Sequence, residues 1–242
     1  MRKSTETAPD EYGSKGQTKS TRYVSLRSKF HLGNPPISSS IFFFLPFTGQ
    51  TARILVEFLE VAITSVIFLK GVYPNGAFER RRYMNLVVHK ARHPELRDYI
   101  HSTVTGLLPF IQKGQVERVA VILFDSKSVP FERFVFKIDV NQSYGSMVEE
   151  ADLEFSLRSF FIKLPISQSL TQTLPQDCRW EITAYFRSLP DSSTSKDAGI
   201  WVSTDTKQWQ QPPLIIPIKS MRIEPLGVQL YVEHPTLHEQ KN

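Results

Sequence analysis

The sequence predicts an α+β fold, with three helices packed on a mostly antiparallel sheet. Three observations carry that expectation. The stretch Gly49–Lys70 has the length and periodicity of a long helix. Two later segments carry apolar stripes at helical spacing. Between and after them lie runs that alternate apolar and polar residues, two of which flank a turn and read as a hairpin.

The first helix has Ile54, Leu55, Phe58, Leu59 and Ala62 on one face, and Arg53, Glu57 and Glu60 outward. Its second half, VAITSVIFL, is apolar nearly all round, as expected of a helix at a domain centre. Lys70 in the last turn, Gly71 as cap and Pro74 beyond it end the helix. Glu79–Arg82 reads as a solvated loop, and Tyr83–His89 as a short strand. A second helix runs from Pro94, a favoured first-turn residue, to Ile111. Its stripe is Leu96, Ile100, Val104, Leu107, Leu108 and Ile111. Val116–Phe124 and Phe131–Val140 form the hairpin around Asp125–Pro130. A third helix spans about Ser146–Leu164, with Leu153, Leu157, Phe160, Phe161 and Leu164 inward. Glu149, Glu150, Asp152 and Glu154 at its start suit the helix dipole. Arg179–Arg187 alternates as a strand, and Ser188–Gly199 reads as a loop. The proline-rich remainder holds two short β-like pieces, LIIPIKSM and GVQLYVE, and reads as extended backbone laid across the domain.

The chain has 242 residues, 40% hydrophobic and 22% charged, which is ordinary for a soluble globular protein. One cysteine, Cys178, makes no internal disulfide, which fits a reducing compartment. The pI is about 9.3. Most of the basic excess lies in residues 1–47, with seven Lys/Arg against three Asp/Glu. The rest is near neutral, so the pI is weak support for nucleic-acid binding by the domain. Residues 1–48 lack periodicity and read as a disordered extension. Within them Ile41–Phe47 is far shorter than the roughly 20 residues of a spanning helix and contains Pro46. Its distance from the start and its poor cleavage context do not suit a signal peptide. Ser, Phe, Leu and Pro are what pyrimidine-rich codons encode. Ile37–Thr48 is therefore read either as translated intron or as a disordered tail with a short apolar docking motif.

No G-x-S-x-G, P-loop, dinucleotide fingerprint or C-x-x-C occurs. His89 and His93 are four apart without the Glu of a zinc-protease helix, and read as turn histidines rather than metal ligands. Cys178, at a strand start, reads as structural. Arg80, Arg81 and Arg82 are solvated or contact a phosphate or a partner. With no paired titratable set, the expectation is a protein that is not an enzyme, with no catalytic residue, no cofactor and no metal.

Several segments together resemble the HORMA-domain family: EFLEVAITSVIFLKGVYPNGAF, HPELRDYI, VERVAVILFD, ERFVFKI, LRSFFIKL, PLIIPIKSM and VQLYVE. The likeness covers residues 49–233, is weak across 165–212 apart from Trp201, and is nearest to the accessory subunits of translesion DNA polymerase zeta. It implies a core over 49–187, a C-terminal "safety belt" over 188–233 that wraps a partner's peptide, and a flexible end at 234–242. It further implies a non-catalytic nuclear adaptor, also found in the cytoplasm, in DNA damage response. The catalytic subunit of polymerase zeta would supply the threaded peptide, held by β-augmentation. The C-terminal domain of the scaffold deoxycytidyl transferase would bind elsewhere. Tyr99 falls where an aromatic contacts the peptide, and Trp201 where an aromatic closes over it. Packing is the alternative reading of each, Tyr99 at the core edge and Trp201 as an anchor of the tail. Ile215, Gln229 and Tyr231 fall on the transferase-binding positions, Ile215 in place of a leucine. Arg158 matches an arginine used when two such domains pair. The likeness implies no membrane and only indirect contact with nucleic acid. Two other readings stand beside it: a spindle-checkpoint regulator clamping a different peptide, and a direct DNA-binding module using Arg80–Arg82 and the basic tail, which salt would weaken steeply.

Overall fold

Residues 24–28, 49–141, 148–175, 177–187, 201–204, 209 and 212–235 are described by the computed structural model. In chain order they form β1 (Val24–Ser28), α1 (Gly49–Leu69), β2 (Phe78–Tyr83), β3 (Leu86–Ala91), α2 (Pro94–Thr105) and the short α3 (Leu108–Gln112). Then come β4 (Val116–Phe124), β5 (Pro130–Val140), α4 (Glu150–Ile166), β6 (Arg179–Phe186), β7 (Trp201–Ser203), β8 (Leu214–Ile223) and β9 (Leu226–His234). Seven strands make one sheet in the order β7-β1-β6-β4-β5-β9-β8, with every pairing antiparallel. β2 and β3 form a separate hairpin.

α1 is the axis of the core. Ile54, Leu55, Phe58, Leu59 and Ala62 are all buried, as their spacing predicts. Phe58 meets Phe136 of β5 and Phe160 and Phe161 of α4 edge-on, at 6.3, 5.4 and 5.3 Å between centroids. Truncating such a ring to Ala typically costs about 3–5 kcal/mol. The buried hydroxyls of Thr64 and Ser65 donate to the carbonyls of Glu60 and Val61, at 2.8 and 2.7 Å, so the apolar half of the helix carries them at little cost. The helices cover one face of the sheet, through Val119, Val121 and Leu123 of β4, Phe134, Phe136 and Ile138 of β5, Ile182, Ala184 and Phe186 of β6, and alternate residues of β9. The opposite face carries a second, smaller apolar cluster of Ala120, Ile122, Phe124 and Val135, flanked by Tyr185 and Tyr231.

The structure corrects four expectations. Val24–Ser28 lies within the extension read as disordered, yet it pairs on both sides within the main sheet. Glu79–Arg82 is strand, not loop: it belongs to β2, and Met84 and Asn85, at φ 46° and 58°, make the two-residue turn to β3. Both central residues at positive φ define the hairpin turn whose twist suits paired strands. The second helix is two, because Pro109 has no amide and its ring excludes the carbonyl four residues back. The two short β-like pieces of the tail are longer than read and are not merely laid across the domain: β8 and β9 form a regular hairpin docked on β5. The helix start at Ser146, the Ser188–Gly199 loop, the Ile37–Thr48 run and residues 236–242 lie outside the described residues.

β8 is an edge strand, and it is marked by Pro217 and by a register shift between Pro217 and Lys219. Proline is tolerated on such an edge because no ladder partner needs its missing amide.

Candidate functional site

β6 pairs with β4 on one side and with β1 on the other, in the register Val24↔Phe186, Ser25↔Tyr185, Leu26↔Ala184 and Arg27↔Thr183. Among the described residues β7 pairs with β1 alone, through Leu26↔Ser203, Arg27↔Val202 and Ser28↔Trp201, and ends the sheet. Strands in a sheet lie about 4.8 Å apart, so β6 and β7 bound a slot one strand wide, about 10 Å across.

Tyr99 and Trp201 flank this slot. Tyr99 comes from α2 and is half-buried. Its hydroxyl accepts the Ile182 amide of β6 at 3.3 Å, and its ring meets Trp180 edge-on at 5.4 Å. The Trp180 indole N–H in turn donates to the Tyr73 hydroxyl at 3.1 Å. Trp201 is 6% exposed, meets Phe186 edge-on at 6.3 Å, and its buried Nε1 has no hydrogen-bond partner among the described residues. The β6 residues that the two aromatics address, Ile182 and Phe186, are separated by about 13 Å of strand.

Ile215, Gln229 and Tyr231 gather on the helix-free face. Register sets Tyr231 between Val135 and Pro217, Gln229 between Lys137 and Ser220, and Ile215 opposite Glu233. Gln229 and Ile215 are exposed, while Tyr231 is half-buried against the small apolar cluster. Burial pushes the Tyr231 phenol above its ordinary range. A hollow of about 800 Å³ opens beside them, bordered by Lys137, Asp139, Arg187, Arg222 and Gln229. Beyond Tyr231, the Arg133 guanidinium lies 4.4 Å from the Trp209 ring centroid, and the Trp209 N–H donates to Glu233 at 3.0 Å. Sequence reasoning missed this group, and also β1. The only signal for β1 was two apolar residues in alternation, Val24 and Leu26.

Arg158 stands apart from both places, on α4, half-buried, with no partner for its Nε among the described residues. Phe155, Ile162 and Ile166 share its helix face and are exposed, Phe155 by 76%. Burial raises the pKa of the Cys178 thiol, so the thiol is not activated. Among the described residues, no group of His, Cys, Asp and Glu is placed to hold a metal, and no helix is long and apolar enough to cross a membrane.

A family model described as the HORMA domain matches residues 52–198. The chain is 61% identical over 195 residues to the DNA polymerase zeta processivity subunit of Arabidopsis thaliana, covering 81% of this chain and 91% of that protein. It is 32% identical over 198 residues to the human mitotic spindle assembly checkpoint protein MAD2B, covering 78% and 93%. Among solved structures, a chain of a mitotic checkpoint complex superposes with a TM-score of 0.65 at 17% identity, over 77% of this chain and 99% of that one. C. elegans HTP-2 bound to an HTP-3 closure motif superposes with a TM-score of 0.63 at 12% identity, over 80% and 90%. Helices on one face of an antiparallel sheet, the family match and the relatives agree: this chain belongs to the HORMA-domain family.

Proposed function

We propose that this protein is a non-catalytic, peptide-clamping accessory subunit of DNA polymerase zeta, acting in the nucleus in translesion synthesis. The Arabidopsis relative is named as a processivity subunit of that polymerase, and the identity to it is high over nearly its whole length. The single structural observation that carries the reading is the one-strand slot. The outer edge of β6 accepts an added antiparallel strand, and β7 lies over the far side of that strand. Backbone pairing on two sides supplies affinity with little demand on sequence, which suits the capture of an extended peptide.

In this reading residues 188–233 are the belt, the catalytic subunit supplies the threaded segment, and Tyr99 and Trp201 flank it. The transferase C-terminal domain binds the helix-free face at Ile215, Gln229 and Tyr231, on the far side of β4 and β5 from the slot. The exposed stripe around Arg158 supports a third contact, with a second HORMA domain. The checkpoint name of the human relative supports the alternative that the same slot takes a different peptide. Identity of 61% against 32% favours the polymerase.

The test is capture of the polymerase zeta catalytic subunit on immobilised full chain, with dissociation followed over time. Tyr99→Ala and Trp201→Ala should each speed dissociation, by roughly thirtyfold for a lost anchor of about 2 kcal/mol. The two meet β6 at positions four residues apart and should lower the stability of the free chain additively, while their effects on dissociation couple through the shared peptide. Dissociation unchanged in both variants rejects the slot as the clamp.

A further inference from the structure

We propose that the slot between β6 and β7 has an occupant within this chain: the strand Val24–Ser28 is an in-cis pseudo-ligand that a partner peptide must displace. The proposal rests on the reading of the slot as the peptide site, and names its regulation.

Three observations support it. First, among the described residues β1 is the strand that joins β7 to the sheet, and β7 has no other strand neighbour there. The slot is therefore held at one-strand width by this segment. Second, VSLRS alternates, and the register sets Val24 and Leu26 opposite Phe186 and Ala184, which face the core. Ser25 and Arg27 stand opposite Tyr185 and Thr183 in the register. A slip of one residue would reverse that match, so the pairing is specified rather than incidental. Third, the β1 register stops at Thr183, and at the next residue, Ile182, the amide is taken by the Tyr99 hydroxyl. The strand thus fills the slot from Phe186 to Thr183 and ends beside the aromatic proposed to grip a peptide.

A covalently joined occupant competes at an effective concentration rather than at its own molarity. Affinity for any peptide supplied in trans falls by the fraction of chains whose slot is empty. The extension would thereby set a threshold that weak partners do not cross, and would keep an otherwise open strand edge covered until a strong one arrives.

The test uses the full chain, with a fluorescent synthetic peptide of residues 21–30 as probe, titrated by anisotropy. Leu26→Pro removes a backbone donor from a strand paired on both sides and should empty the slot. The Leu26→Pro chain should bind the probe about tenfold or more tighter than the parent chain, as nine-tenths occupancy in cis requires. A probe carrying the same proline should bind neither chain. Equal affinity for the two chains, or no binding to the Leu26→Pro chain, overturns the proposal. A second variant does not depend on how the proline affects folding: Leu26→Cys with Ala184→Cys, in a Cys178→Ser background. Oxidation should join β1 to β6 within one chain, seen on a non-reducing gel, and reduction should restore probe binding. No disulfide, or one linking two chains, overturns the proposal. Capture of the polymerase zeta catalytic subunit separates this proposal from the reading beneath it. If parent and Leu26→Pro chains capture it equally and the probe distinguishes neither, the occupant fails and the clamp stands. If the probe results hold while neither chain captures the catalytic subunit, the clamp's partner fails and the occupant stands.

Discussion

Glu132 is fully buried in β5, yet it is surrounded by polar partners. Lys70 at the end of α1 reaches its Oε2 at 2.6 Å, the Gln172 amide donates to Oε1 at 3.0 Å, and His234 Nδ1 lies 3.5 Å from the same oxygen. Lys70 also donates to the Gln172 carbonyl. Removing one partner of such a pair strands a buried charge, which typically costs about 3–5 kcal/mol. Lys70→Met should therefore lower unfolding free energy by that order in urea melts. Lys70→Met with Glu132→Leu should recover most of the loss. If the double variant is no better than the single, the cluster is not a charge pair. Sequence reasoning saw Lys70 only as a helix-end residue, because nothing local ties it to residues 132, 172 and 234. His89 is a different case. It stacks on Phe68 at 3.5 Å, and its pKa is lowered, first by burial and then by Arg80. A depressed histidine pKa means the unfolded chain takes up the proton first. Stability is then full above the ordinary range near 6.5 and is lost as pH falls through it. Melting temperature should drop between pH 7.5 and 5.5 more for the parent than for His89→Phe, which keeps the stack; parallel curves would refute this.

At the scale of elements, β5 and β6 were legible from period-2 alternation, and β4 from a short apolar run whose two faces are both buried, one in the core and one in the smaller cluster. The β8–β9 hairpin was legible in its pieces but not in its regularity, since its prolines argue locally against pairing and only the edge position permits them. β2 escaped because three successive arginines read as loop, although its turn partner Asn85 was available as a cue. Of the two roles left open for Trp201, packing is the one the structure displays, and closure over a peptide is the one proposed here. The ring packs into the core against Phe186, and its strand lines the slot. Trp201→Ala should accordingly reduce the stability of the free chain by about 3 kcal/mol or more, as well as loosening a partner. Thermal melts without ligand check this; an unchanged melt would place the ring outside the core. Tyr231→Ala with Gln229→Ala, on the other face, should weaken capture of the transferase C-terminal domain at least tenfold while leaving catalytic-subunit dissociation as it was. Equal loss of both would mean β9 itself is damaged.

For the whole molecule, three helices on an antiparallel sheet could be read from the chain, whereas the strand order could not. The order joins residue 26 to residue 184 and residue 135 to residue 231, and nothing in a local pattern encodes such distant pairings. One consequence of that order concerns solubility. Both ends of the sheet come from the last stretch of the chain, β7 at one and β8 at the other. A domain proposed to take up strands would risk taking up copies of itself, each addition exposing a fresh border for the next. Among the described residues, both borders carry features that oppose such growth. β7 is three residues long, and β8 presents Pro217 and a register shift to the outside. Pro217→Val should restore a continuous ladder there, with light scattering that rises with concentration while the melting temperature holds. The proline that spoils the strand pattern in the sequence would then be what keeps the protein from polymerising.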